Sequence, residues 1–257
     1  QSRALSDCRI KVRLDDSCVA RYRPARRPAR LTEIVPVTHD IAEFAFRPDR
    51  PAAFLPGQYA LFELPDVEGR RAYSMCNLPS DGEWRFHIKR VPGGAGTACL
   101  FDGLAIGDEI MVDGPFGLAW LREDSPRDII CVAGGSGLSP MISIARGAAA
   151  AGLLRERTLH FVYGGRAPRD VCGEGMLSRL PGWDERIRYY AAISEDGHAD
   201  WSGPVGFVHD YVRDLFGERL AAHEIYFAGP PAMAAAMQKS LFDAGVPGEQ
   251  VHFDQFY

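Results

Sequence analysis

Ile129-Ile130-Cys131-Val132-Ala133-Gly134-Gly135-Ser136-Gly137-Leu138-Ser139-Pro140 is the stretch whose reading decides the fold. Five apolar residues followed by glycines read as a short buried strand ending in a tight turn. Glycines at such a turn let the chain reverse sharply and let an anion approach the backbone. Ser139 is placed to act as the N-cap of a following helix and Pro140 as its first residue, where a missing N–H costs nothing. The helix would then present free N–H groups and a positive dipole end to a phosphate. Pro140 occupies the position of the third glycine in the usual dinucleotide fingerprint, which argues against an ordinary dinucleotide-binding dehydrogenase. A turn that binds nothing is the alternative reading.

Downstream the pattern alternates. Apolar strand-like runs fall at Leu159–Tyr163, Ile187–Ile193, Ile225–Ala228 and Val251–Phe253, with helical segments at about 140–151, 206–216 and 231–244. Alternating β and α predicts a doubly wound, five-stranded parallel sheet covered on both faces. Upstream, from about 28 to 124, the period changes to 2. Ala42, Phe44 and Phe46 alternate with other residues, Tyr59–Leu64 is strand-like, and Trp84, Phe86 and Ile88 alternate with Arg85, His87 and Lys89. Turn signals recur at Pro56-Gly57, Asp81-Gly82 and Asp113-Gly114. Short strands at this spacing predict an antiparallel barrel. The expected organisation is therefore a linker over 1–27, a β-barrel over 28–124 and an α/β domain over 125–257. Arg21–Pro28, rich in arginine and proline, reads as a solvated connector or as a docking patch for an acidic partner.

Composition narrows the function. The chain has 257 residues, 46% hydrophobic and 25% charged, with a net charge of −5. That balance suits a globular protein and gives no reason to propose a nucleic-acid partner. No run approaches the ~18 apolar residues of a membrane helix. Six cysteines, none in a C-x-x-C pair, argue against a zinc or iron–sulfur site in this chain and suggest a reducing cytoplasm. No metal ligand set is expected.

Arg71-Ala72-Tyr73-Ser74 in the β region, His87-Ile88-Lys89 followed by the glycine-rich turn Gly93–Thr97, and Gly114-Pro115-Phe116-Gly117 share their order with motifs of the α/β region. Those are Tyr163-Gly164-Gly165-Arg166, Trp201 with Gly203–Val208, and Gly229-Pro230-Pro231 with Met233. Together they resemble the ferredoxin–NADP reductase superfamily over about residues 30–257. The resemblance implies a six-stranded antiparallel FAD-binding barrel followed by a nicotinamide-nucleotide domain. It implies that Arg71 pairs with an FAD phosphate, that Tyr73 packs on the flavin and that the Ser74 hydroxyl lies near flavin N5. A guanidinium fork matches phosphate oxygens and an aromatic face suits a flat ring. His87, Ile88 and Lys89 would line the flavin and its ribityl chain; Gly94, Gly96, Thr97 and Ala98 would hold the pyrophosphate. Gly135, Ser136, Gly137, Arg166, Gly229 and Pro230 would hold the nicotinamide cofactor. Phe256, in the terminal Phe253–Tyr257 run, would cover the flavin.

Ala228 stands where the family has a cysteine near the flavin–nicotinamide contact, which implies altered nicotinamide placement rather than lost chemistry. Glu195 and Asp196 would repel a 2′-phosphate, so NADH is expected over NADPH, with Asp170 a weaker ribose candidate; acids in a solvated loop are the alternative. Ser194–Asp196 followed by the Trp201–Val208 pattern resembles the NADH-dependent reductases of aromatic-ring dioxygenases, of the benzoate and carbazole type. That branch implies partners: a [2Fe-2S] ferredoxin domain or protein, and a terminal oxygenase. Leu5–Val12 resembles the end of such a ferredoxin domain, which this chain is expected to lack; a plain N-terminal extension is the alternative. Rival readings are a monooxygenase or cytochrome reductase of the same superfamily, and a non-catalytic FAD-bearing electron conduit.

Overall fold

A computed structural model describes residues 21–51 and 53–254. Its first sheet contains β1 (Ala25–Pro36), β2 (Ile41–Pro48), β3 (Tyr59–Glu63), β4 (Arg71–Ser74), β5 (Trp84–Lys89) and β6 (Glu109–Phe116). These pair antiparallel in the order β4-β3-β6-β1-β2-β5. The two ends of that order return into contact, and the Cys76 N–H donates to the Arg85 carbonyl at 2.7 Å, so the sheet nearly closes. Period-2 alternation explains the interior. Phe44, Phe46, Phe62 and Phe86 all point inward and are fully buried, with Phe62 packing edge-on against Phe86 at 4.8 Å and Phe46 at 5.1 Å. Each such ring stabilises the fold by about 1.5–3 kcal/mol through burial alone.

The connector reading of Arg21–Pro28 is corrected over Ala25–Pro28. Those residues form the first third of β1 and pair with Met111–Gly114 of β6. Their charge misleads because this end of the strand lies on the barrel's outer surface, where Arg26 makes a two-point bond to Glu63 at 2.6 and 3.0 Å.

A short helix α1 (Ala95–Ala98) follows β5. The second sheet then comprises β7 (Asp128–Gly134), β8 (Leu159–Gly165), β9 (Ile187–Ile193), β10 (His223–Ala228) and β11 (Val251–His252). All pairs are parallel, in the order β11-β10-β7-β8-β9. Helix α2 (Leu138–Ala150) packs against one face of β7, on Ile129, Cys131 and Ala133. Short helices α3 (Glu174–Leu177) and α4 (Trp183–Arg186) follow, with Leu177 and Trp183 on that same side. Helices α5 (Val208–Phe216) and α6 (Pro231–Asp243) cover the other face, on Ile130 and Val132. Burial on both faces is why β7 reads as an unbroken apolar run. The chain leaves β7 toward β8 and later returns to β10 on its opposite side. The carboxyl end of β7 is thus the topological switch point, where sheets of this kind bind ligands.

The two sheets are joined by α2. Ser139, Ser143 and Arg146 lie along one stripe of that helix and donate to the carbonyls of Ser74, Asn77 and Cys76 at 2.5, 2.9 and 2.9 Å. Gly147 continues the stripe; a Cβ there would lie 2.6 Å from Pro56 Cγ and 2.8 Å from its Cβ. Replacing Gly147 by leucine should therefore wedge the domains apart and destabilise the protein by about 1–3 kcal/mol in urea unfolding. Unchanged stability would show that the helix does not meet the barrel this closely.

Candidate active site

A cavity of about 1310 Å³ opens at the switch point, between the barrel and the parallel sheet. It exceeds the roughly 300–1,000 Å³ of a single small-molecule site and offers the room two dinucleotides require. The barrel contributes Arg71, Tyr73, Lys89, Gly94, Gly96 and Thr97; the α/β domain contributes Gly135, Ser136, Arg166, Gly229, Pro230 and Met233.

On the barrel side, Arg71 ends on the carbonyls of Glu68 and Arg70. Among the described residues it pairs with no carboxylate, leaving a guanidinium at the cleft wall suited to an anion. The Tyr73 ring packs on Phe62 at 4.9 Å, and burial pushes its phenol up to about 12, so it stays neutral. A Cβ on Gly96 would lie 3.1 Å from Arg71 Cγ and 3.4 Å from the Tyr73 hydroxyl. These three residues therefore meet at one point of the wall. Thr97 borders the cleft, but its hydroxyl is engaged within the turn. Its hydroxyl receives the Val91 N–H at 3.1 Å and donates within the turn to Gly94 or Val91, fixing the loop that carries Gly94.

On the α/β side the glycines serve close packing. A Cβ on Gly137 would lie 2.0 Å from the Ala228 carbonyl oxygen, so the turn rests directly on β10. Gly135 has φ +55°, a left-handed conformation suited to glycine. Met233 Sδ fills the space beside Gly134 and Gly229. Asp170 accepts the N–H groups of Arg166 and Ala167 at 3.1 and 2.9 Å, which sets the loop carrying Arg166. The exposed Arg166 makes no ion pair among the described residues.

The oxidoreductase FAD-binding domain matches residues 28–120 and the oxidoreductase NAD-binding domain residues 131–239. The chain is 38% identical over 258 residues to the ferredoxin–NAD(P)+ reductase CarAd of Metapseudomonas resinovorans, covering 99% of this chain and 76% of that one. It belongs to the ferredoxin–NAD(P)+ reductase family. It is also 37% identical to the ferredoxin–NAD+ reductase component of an alkene monooxygenase system from Xanthobacter autotrophicus, over 100% and 77% of the two chains. The solved ferredoxin reductase in carbazole 1,9a-dioxygenase superposes with a TM-score of 0.86 at 37% identity, over 99% of this chain and 76% of that one. This reductase is thus an FAD- and NAD-binding oxidoreductase.

Several expected residues of the reductase lie elsewhere. His87 is corrected: its side chain is buried behind β5, with Nε2 3.0 Å from Glu43, because α2 covers that face of the strand. Ile88 points into the barrel core, as the alternation of β5 requires. Ala98 and Gly137 do not border the cavity, nor does Ser74, whose carbonyl faces α2. Lys89 does border it, but its ammonium is held by Asp40 at 2.6 Å. Glu195 lies just outside, beside Ser194, with its backbone N–H on the Arg166 carbonyl. Phe256 falls outside the described residues. Ser139 is corrected from N-cap to the second residue of α2, with Gly137 preceding the helix. Its hydroxyl donates to the Ser74 carbonyl and accepts the His87 N–H at 3.0 Å. Sequence alone does not announce this role, although Ser139, Ser143 and Arg146 form a polar i, i+4, i+7 stripe on an otherwise apolar helix.

Behind the cleft, Glu43 gathers His87, Arg85 at 2.8 Å and the Cys76 thiol at 3.5 Å. Burial raises its carboxyl, but hydrogen bonds from His87 and Arg85 outweigh burial and leave it at about 2. Burial also pushes His87 down, so its imidazole stays neutral against that carboxylate.

Two outcomes follow. Ser139→Ala leaves the Ser74 carbonyl and the His87 N–H unpaired in the interface, and should cost about 1–3 kcal/mol in chemical denaturation; a change within error would remove Ser139 as the bridge. The Glu43 contribution is complete above the unfolded carboxyl value of about 4.3 and is lost as pH falls toward about 2. Glu43→Gln should therefore flatten the acid side of the stability profile in that window; an unaltered slope would contradict the assignment.

Proposed function

We propose that this reductase draws electrons from NADH through FAD and delivers them singly to a [2Fe-2S] ferredoxin centre that serves the oxygenase of an aromatic-ring dioxygenase system. The observation that carries this reading is one cleft lined jointly by the Arg71–Tyr73 strand and the Gly135–Ser136 turn. The named relatives support the acceptor class, since they are ferredoxin reductases of dioxygenase and monooxygenase systems.

Arg71 would clamp an FAD phosphate, with Gly96 bringing its backbone N–H close, Gly94 letting the phosphate approach the turn, and Thr97 holding that loop in shape. Tyr73 would lie against the flavin as a neutral phenol. Bound FAD supplies the redox chemistry itself, taking a hydride from NADH and releasing electrons one at a time. Gly135, Ser136 and Arg166 would hold the NADH phosphates, and Gly229 and Pro230 would border its nicotinamide end. Glu195 and Asp196 would disfavour the extra phosphate of NADPH. Ser74, one residue beyond Tyr73 and set back from the cavity wall, would turn its hydroxyl toward the flavin edge, while Ser139 fixes its backbone. What the protein would supply is alignment, since hydride transfer between two bound coenzymes needs no general acid and no nucleophile from the chain. We place the reductase in the cytoplasm, where its four described cysteines, all free, would persist. No helix among the described residues is long and apolar enough to cross a membrane.

The test is reduction of a purified [2Fe-2S] ferredoxin by the FAD-loaded chain, with NADH and NADPH in parallel. Fast ferredoxin reduction with NADH and little with NADPH is expected. Oxidation of NADH by simple dyes but not by any ferredoxin would move the protein to another acceptor class. Ser74→Ala should retain FAD and slow flavin reduction in stopped flow roughly tenfold, the equivalent of one hydrogen bond of about 1.4 kcal/mol. An unchanged rate would remove Ser74 from the chemistry.

A further inference from the structure

At the opposite end of the parallel sheet, three side chains meet that electron transfer does not use. Asp128 opens β7, His160 is the second residue of β8 and His223 opens β10. His223 pairs with Asp128, and His160 with Ile130. The period-2 alternation puts all three on the face that also carries Ile130, Val132, Val162 and Ile225. The ligating atoms of the three lie within 4.8 Å of one another. The seven-residue β7 runs from Asp128 in this cluster to Gly134 at the cleft, roughly 20 Å at strand rise.

We propose that Asp128, His160 and His223 form a binding site for a divalent transition metal of the zinc(II) class.

Each ligand is held in place by a neighbour. The His223 Nδ1 lies 2.8 Å from the Arg219 carbonyl. A carbonyl only accepts, so that nitrogen carries the proton and Nε2 keeps its lone pair. A histidine bound through one nitrogen with the other fixed by a carbonyl is the usual supporting arrangement for metal ligands. Asp128 takes the Thr158 N–H on Oδ1 at 2.7 Å, which orients the carboxylate and leaves Oδ2 for a cation. The His160 Nδ1 lies 3.5 Å from the Tyr190 hydroxyl. Phe216 stands edge-on to both imidazoles, at 5.0 Å from His160 and 5.3 Å from His223, and walls the cluster with an apolar ring.

The set of two imidazoles and one carboxylate identifies the metal class. Nitrogen donors suit zinc and its neighbours, whereas calcium and magnesium need mostly oxygen ligands. Arg188 and Arg219 add positive potential nearby. That potential disfavours ions held by charge alone and leaves those that form coordination bonds. A metal here would fasten the starts of three strands and the segment before β10. It would stabilise the domain without touching the coenzyme cleft.

The test uses FAD-loaded protein freed of metal by chelation and titrated calorimetrically with zinc chloride. Asp128→Asn, which keeps the acceptor for Thr158, and His160→Gln serve as variants. One equivalent should bind at micromolar concentration or tighter, and each variant should bind roughly tenfold or more weakly. Cobalt(II) should give visible bands of a low-coordinate site in the wild type only. Reduction of the flavin by NADH should be unchanged in Asp128→Asn, which certifies its fold. No saturable zinc binding, equal binding by wild type and variants, or calcium binding as tight as zinc would each overturn the proposal.

Discussion

The cleft exists because one helix is bonded to the backbone of another domain. Ser139, Ser143 and Arg146 of α2 donate to three carbonyls at the end of β4 and in the loop beyond it. Backbone acceptors in a buried interface have no other partner, so each bond left unmade carries the full desolvation cost. That requirement fixes where the glycine turn preceding α2 lies relative to Arg71 and Tyr73. The same helix whose preceding Gly135-Ser136 turn borders the coenzyme side therefore sets its distance from the flavin side. Ser139 concentrates this coupling, because one hydroxyl joins the Ser74 carbonyl and the His87 N–H.

The interface also explains the polar centre behind it. Arg146 caps the Cys76 carbonyl, and Glu43 collects Arg85, His87 and the Cys76 thiol on the covered face of β5. Closing α2 over β5 buries His87, which an isolated barrel would leave on its outer, polar face. The carboxylate is retained there because its partners compensate for lost water.

Sequence made the two-domain architecture legible where periodicity is strong. The apolar run of β7, the alternation of Phe44 and Phe46 in β2, and the Gly134–Gly137 turn all lie where their patterns place them. Sequence failed where tertiary contact overrides local pattern. Charged Ala25–Pro28 reads as a connector, yet β6 supplies its hydrogen bonds and Glu63 its counter-charge. His87 reads as a cofactor-facing residue and shares the outer face of β5 with Lys89, yet α2 covers His87 while Lys89, at the end of the strand, reaches the cleft edge. Ser139 reads as a cap because its local context is that of a cap; only the neighbouring domain reveals its second role. The histidines at 160 and 223, 63 residues apart, become neighbours only through the order of the parallel sheet.

The account stands on one cleft that serves both an electron donor and a flavin. Anaerobic addition of NADH to the FAD-loaded chain, followed at the visible flavin bands, tests it most directly. A single equivalent of NADH should bleach those bands without any added protein. Bound flavin that keeps its oxidised spectrum in excess NADH would contradict it.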